Sequence, residues 1–94
     1  MKVEVKFFTS LREITGKKVD EVQLQDIITV EELLTQLSKK YGKEFREYLY
    51  DEKGKVHGYL SILVNGKSTN VLQGLDTELI EGDTVAILPP VGGG

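Results

Sequence analysis

One amphipathic helix has to cover the rest of this chain. From Val30 the apolar residues recur at Leu33, Leu34, Leu37 and Tyr41, a spacing that places them on one face of an α-helix. Thr29 stands just before them and Glu32 three residues on, the spacing of a capping box. Glu31 and Glu32 meet the positive end of the helix dipole, Lys39 and Lys40 the negative end, and Gly42 is the stop. Strand-like segments flank this helix on both sides. A single stripe of this kind is buried most economically against one mixed sheet, which predicts an α+β fold.

The strand-like segments alternate with period two. In Lys2–Phe8, Val3, Val5 and Phe7 share one face, Lys2, Glu4 and Lys6 share the other, and Phe8 breaks the polar side. Leu11–Ile14 reads as a short turn, at most one helical turn, closed by Gly16. Residues 21–24 alternate again, with Val22 and Leu24 inward, so the first two strands form a hairpin-like pair. Residues 44–50 fit a short helix or irregular turns, and 51–55 an exposed turn. YLSILV, residues 59–64, reads as a central strand, covered on both sides more than the first two. Asn65-Gly66 is the strongest local hairpin signal, with 67–71 as a short return strand. Residues 74–79 are less regular, Glu81-Gly82-Asp83 is a tight turn, and 84–88 is the last strand. First and last strands are expected to be parallel neighbours at the centre.

Several chemistries fall away. The chain has no cysteine and a single histidine, His57, which removes disulfides, thiolate metal sites, cysteine nucleophiles and multi-histidine metal clusters. A formal net charge of −3 and only short basic pairs, Lys17-Lys18 and Lys39-Lys40, argue against nucleic-acid binding. No apolar run reaches the ~18 residues of a membrane span, and MKVEVKFF lacks signal-peptide features, so a cytoplasmic protein is expected. His57 has no nucleophile beside it and is expected to be structural. Asp51 and Glu52 lack the calcium-loop pattern and, like Glu81 and Asp83, read as solvated turn residues. Phe8, Leu60, Ile62 and Leu75 are the apolar candidates outside the helix, either for an open partner-binding sheet face or for a second buried layer.

The remaining feature is the last stretch, ILPPVGGG. Pro89 and Pro90 lack amide donors and have fixed φ, so they end sheet pairing and point the chain away. From Val91 to Gly94 the chain reaches at most ~13 Å, a thread without bulk that fits a narrow cleft on another protein. Residues 1–90 are thus expected to form the domain and 91–94 a flexible tail ending in the Gly94 α-carboxylate. A carboxylate is a poor electrophile until activated, for instance as an acyl-adenylate. The sequence has neither GxxxxGK[ST] nor GxGxxG, so ATP would be used by a partner, and no cofactor is expected on this chain. A frayed terminus is the plain alternative.

Asn65-Gly66, LQGLDTELIEGDTVAILPP from Leu72 to Pro90, and the ending VGGG resemble the MoaD family, the small subunit of molybdopterin synthase. KVEVKFFTSLREITG resembles that family's opening strand and turn, and GDTVAILPPVGGG is the most specific part. The family and the related ThiS sulfur carriers and archaeal ubiquitin-like modifiers are β-grasp, ubiquitin-like proteins. The resemblance implies that an E1-like adenylyltransferase, MoeB-like, adenylates Gly94. A sulfur donor protein then yields a thiocarboxylate, which a large MoaE-like subunit uses to sulfurate a pterin precursor for molybdenum or tungsten. Gly93 would keep the thread thin, and the large subunit would supply the catalytic groups, making this chain non-catalytic on its own. The alternative is a modifier joined through Gly94 to lysines of target proteins. Gly92 departs mildly from the family, which often has a small residue such as alanine or serine there. Residues 50–58 look longer than in compact members.

Overall fold

The structure, a computed structural model, describes residues 1–90. The helix is α2, Val30–Tyr41, and its capping box is complete: Glu32 N donates to Thr29 Oγ1 at 3.2 Å and Thr29 N donates to Glu32 Oε1 at 3.0 Å. Thr29→Ala should therefore cost about 1 kcal/mol. The check is a lowered urea midpoint at unchanged m-value, largely restored by Thr29→Ser.

The helix lies on a five-stranded sheet of order β2-β1-β7-β4-β5. Here β1 is Lys2–Phe7, β2 Val19–Gln23, β4 Ser61–Val64, β5 Lys67–Ser68 and β7 Thr84–Leu88. β1 and β7 are parallel neighbours, while β2 pairs antiparallel to β1, and β4 antiparallel to β7 and β5. This is the expected α+β, β-grasp arrangement. Asn65 and Gly66 turn β4 into β5 with φ of +52° and +83°, the pair of positive values that a two-residue hairpin requires. The short turn after β1 is α1, Ser10–Thr15, and residues 44–50 resolve as α3, Lys43–Leu49.

Val3, Val5, Phe7, Ile62, Val64, Val85 and Ile87 point into one core against Val30, Leu33, Leu34 and Leu37 of α2. Phe45 and Leu49 of α3 close its side. The Phe7 ring meets Tyr41 and Phe45 edge-on at 5.7 and 6.1 Å, a favoured aromatic geometry.

Four expectations change. β2 begins at Val19, so Asp20, not an apolar residue, is its first inward side chain, and it is buried. YLSILV forms a shorter strand, Ser61–Val64, with Ile62 and Val64 inward and Ser61 and Leu63 half-buried on the other face, which is more covered than the outer faces of β1 and β2. The return strand stops at Ser68, and Thr69–Val71 is a 3₁₀ turn. Residues 74–79 hold a second 3₁₀ turn and a strand, β6 (Glu78–Leu79), which pairs with β3 (Ile28–Thr29) as a separate ribbon beside the start of α2. Two-residue strands carry too little alternation to be seen in sequence.

Asp20 survives burial because α2 answers it. Tyr41 donates its hydroxyl to Asp20 Oδ2 at 2.5 Å and Lys40 Nζ donates to the same oxygen at 2.9 Å, while Lys17 Nζ lies 3.7 Å from Oδ1. Burial pushes the Asp20 carboxyl up. The hydrogen bonds from Tyr41 and Lys40 and the charges of Lys40 and Lys17 outweigh it, holding the group below its ordinary range. Burial and the Asp20 charge push the Tyr41 hydroxyl upward.

Candidate functional site: the exit of the last strand

β7 is a central strand, so its end is fixed from both sides. Its last parallel pair with β1 is Phe7↔Ile87, and Leu88 still pairs with Ser61 of β4. Pro89 follows at once, where the missing N–H ends the ladder. The chain beyond Pro90 therefore starts from a rigid position between the end of β1 and the start of β4. Val91, Gly92, Gly93 and Gly94, including both residues expected to carry the chemistry, lie outside the described residues.

The face opposite α2 is uncovered by any described element and is graded along its length. Strand parity places Phe8, Leu88 and Ser61 in the row nearest the exit. The next row is Val19, Lys6, Ala86 and Leu63, and the far row is Glu21, Glu4 and Thr84. The exit half is thus apolar at its centre and cationic at its margin, and the far half carries both signs, with Lys2 Nζ 3.5 Å from Glu21. Arg12 strengthens the cationic margin. Its Nε donates to the Phe7 carbonyl at 3.0 Å and its guanidinium carbon sits 5.4 Å from the Phe8 ring centre, a cation–π contact. Thr9 makes this fold-back possible at φ +46°, a conformation uncommon for a β-branched residue.

The open-face candidates divide. Phe8 belongs to the face, but Leu60 and Ile62 are buried in the core and Leu75 packs against it. Their places are taken by Leu63, Ala86, Leu88, Lys6 and Arg12, which were missed. Strand alternation alone could have found the first three once β4 was known to be covered on one side.

Asp83 is a second correction. It is not a solvated turn residue but is 8% exposed, accepting from Asn65 Nδ2 at 2.8 Å and from Ile80 N at 2.9 Å. It ties the β4–β5 hairpin to the turn before β7. Glu81 is exposed and accepts from Lys2 N.

Asp51, Glu52 and His57 meet around a surface hollow of about 680 Å³, with Glu47, Tyr50 and Lys53. The Asp51 carboxylate is spent on its own loop, accepting from Lys53 N and Lys55 N. Those bonds, the Lys55 amide first, hold its carboxyl below the ordinary range against an opposing desolvation. His57 stacks on Tyr59 at 4.7 Å. Among the described residues no three His, Asp or Glu side chains are grouped to hold a metal ion. No helix there is long and apolar enough to cross a membrane.

Known proteins share the fold along the whole chain. A family model described as the ThiS family matches residues 5–94. Small archaeal modifier protein 3 of Haloferax volcanii is 34% identical over 94 residues, covering 100% of both chains. The sulfur carrier protein CysO of Mycobacterium tuberculosis is 34% identical over 96 residues, again covering 100% of both. Among solved structures, SAMP1 from Haloferax volcanii superimposes with a TM-score of 0.86 at 26% identity over 100% of both chains. A Pyrococcus furiosus chain assigned as molybdopterin converting factor subunit 1 gives 0.77 at 31% identity, covering 97% of this chain and 99% of its own. A fixed strand exit, a thin glycine segment and full-length kinship to carriers and modifiers converge: this chain belongs to the ThiS family of small ubiquitin-like sulfur carriers and modifiers.

Proposed function

We propose that this protein carries sulfur on the α-carboxylate of Gly94 for molybdenum or tungsten cofactor synthesis. One observation carries the reading: the central strand delivers a Pro-Pro-Val-Gly-Gly-Gly segment from a rigid exit beside an apolar, cation-rimmed face. An E1-like adenylyltransferase transfers AMP from ATP to the carboxylate and releases pyrophosphate. Sulfide-level sulfur, released as hydrosulfide from a donor protein, then attacks the acyl carbon, breaks its bond to the AMP phosphate oxygen and leaves a thiocarboxylate, free AMP and a proton. A large synthase subunit receives the loaded segment and passes its sulfur to the pterin precursor. This chain contributes the carrier atom, the thin thread of Gly93 and Gly94, and the docking face. The Pyrococcus furiosus relative supports the pterin destination.

A second reading has its own support in the Haloferax volcanii modifier that matches along the full length. There, lysine amines of target proteins attack the activated Gly94 end and form an amide. Intact-mass spectrometry separates the two. The protein is incubated with an E1-like enzyme, ATP and a sulfur donor, then with pterin precursor and the large subunit, or with lysine-bearing proteins. Replacement of oxygen by sulfur, reversed on adding precursor and large subunit, is the expected result. A Gly94–lysine amide without a thiolated intermediate would overturn it. Gly94→Ala should leave folding intact and cut loading by at least tenfold, since a methyl group crowds a narrow active site by more than about 1.4 kcal/mol of barrier. Normal loading of that variant at limiting enzyme would remove the narrow-cleft argument.

A further inference from the structure

The charges of this chain are sorted by position. No Lys or Arg occurs from Val19 to Ser38, and none after Lys67. The β3–β6 ribbon brings these two segments together, pairing Ile28 with Leu79 and Thr29 with Glu78. The next rung outward is Ile27 and Ile80, exposed at 53% and 58%. Asp26 precedes Ile27 along the chain, Glu78 lies in the ribbon itself and Glu31 follows on the first turn of α2; all three are exposed, and Glu31 shares a surface hollow with Arg46.

The other end of α2 has the opposite sign. Lys40 and Tyr41 reach Asp20, which places the helix C-terminus beside the start of β2. There Val19, 42% exposed, lies across from Lys6 and next to Lys17 and Lys18. This is the tail-exit end of the sheet. The 12 residues of α2 hold the two poles roughly 18 Å apart. That exceeds the Debye length of about 10 Å at 0.1 M salt, so one pole does little to neutralise the other and each presents its own field.

We propose that the acidic, isoleucine-tipped pole docks on the basic, valine-centred pole of a second copy of this chain. Each pole offers an apolar centre beside exposed charges of mainly one sign, Glu78, Asp26 and Glu31 at one and Lys6, Lys17 and Lys18 at the other. Because the two surfaces differ, the contact is head-to-tail, and continues from copy to copy unless its rotation closes a ring. Docked in this way, one copy covers the tail-exit end of the next.

Sedimentation of the full chain tests this directly. At about 0.1 M salt, where charges act over ~10 Å and the two poles stay distinct, the average mass should rise with concentration above the monomer's 10.5 kDa. At about 1 M salt, where they act over ~3 Å, it should return to monomer. A monomer at millimolar concentration in the lower salt overturns the proposal, as does association that strengthens with salt. Two variants then locate the contact: Glu78→Lys with Ile80→Lys removes one pole, and Lys18→Glu with Val19→Glu removes the other. Each alone should be monomeric, and their equimolar mixture should form a 1:1 dimer that grows no further. Persistent association of either variant, or a monomeric mixture when the unaltered chain assembles, overturns it.

Discussion

Removing Gly93 and Gly94 should abolish loading while leaving the domain folded. The truncated chain still ends in a glycine carboxylate, so its intrinsic reactivity is unchanged. What changes is reach. Pro89 directly follows a residue paired to β4, so the base of the segment cannot slide outward without breaking the central ladder. Two residues shorten the thread by about 7 Å. Misplacement of a reacting group by 1 Å can already cost on the order of 100-fold, and 7 Å leaves the carboxylate outside the partner's reacting centre. Intact-mass spectrometry should show no oxygen-to-sulfur exchange. The urea midpoint should stay within about 0.5 kcal/mol of the full chain, as for changes away from the core. Restoring two glycines should restore loading, whereas loading of the truncated chain at the full rate would move the chemistry away from Gly94.

Much of this was legible because local rules and the global fold agree. The helix from Val30 to Tyr41 announced itself by spacing and by the Thr29–Glu32 pair. The β1 alternation identified Val3, Val5 and Phe7 as core, and Asn65-Gly66 located its hairpin. The failures share one physical cause: partners distant in sequence decide them. Asp83 reads as a turn carboxylate until Asn65, eighteen residues earlier, is folded against it. Leu60 and Ile62 stayed undecided between an open face and a buried layer because a short strand with dense apolar residues does not reveal which side the helix covers. Arg12 joins the exit only through the fold-back at Thr9. The chemistry proposed for Gly94 rests on family likeness and owes nothing to side-chain geometry.

Asp20 gives the largest stability effect expected outside the apolar core. It is a buried carboxylate whose partners arrive from α2, 20 and 21 residues away. Hydrogen bonds to charged groups contribute roughly 1.5–3 kcal/mol each. Asp20→Ala removes two of them and leaves Tyr41 and Lys40 without their acceptor, so a loss of about 2–4 kcal/mol is expected, out of a total of about 5–15 for a domain of this kind. At 4–8 °C per kcal/mol for a small domain, the melting midpoint should fall by at least about 10 °C. Asp20→Asn keeps an acceptor for Tyr41 but loses the charge, and should cost less.

The pH dependence separates charge from packing. The folded Asp20 carboxyl lies below its ordinary value. Its stabilisation is therefore complete above the unfolded value near 3.9 and is lost as pH falls through the lower folded value. Tyr41 lies above its ordinary value. Its stabilisation is complete below the unfolded value near 10 and is lost as pH rises through the higher folded one. Between about pH 5 and 9 the pair is fully formed, and the gap between the unaltered chain and Asp20→Asn should be constant there. As pH falls from the unfolded value through the lower folded one, Asp20 takes up a proton and comes to resemble the amide, so the two denaturation curves should draw together. A gap as large below the folded value as in the neutral range would mean that shape, rather than the carboxylate charge, joins β2 to the end of α2. The basic pole at the tail exit would then owe its position to packing alone.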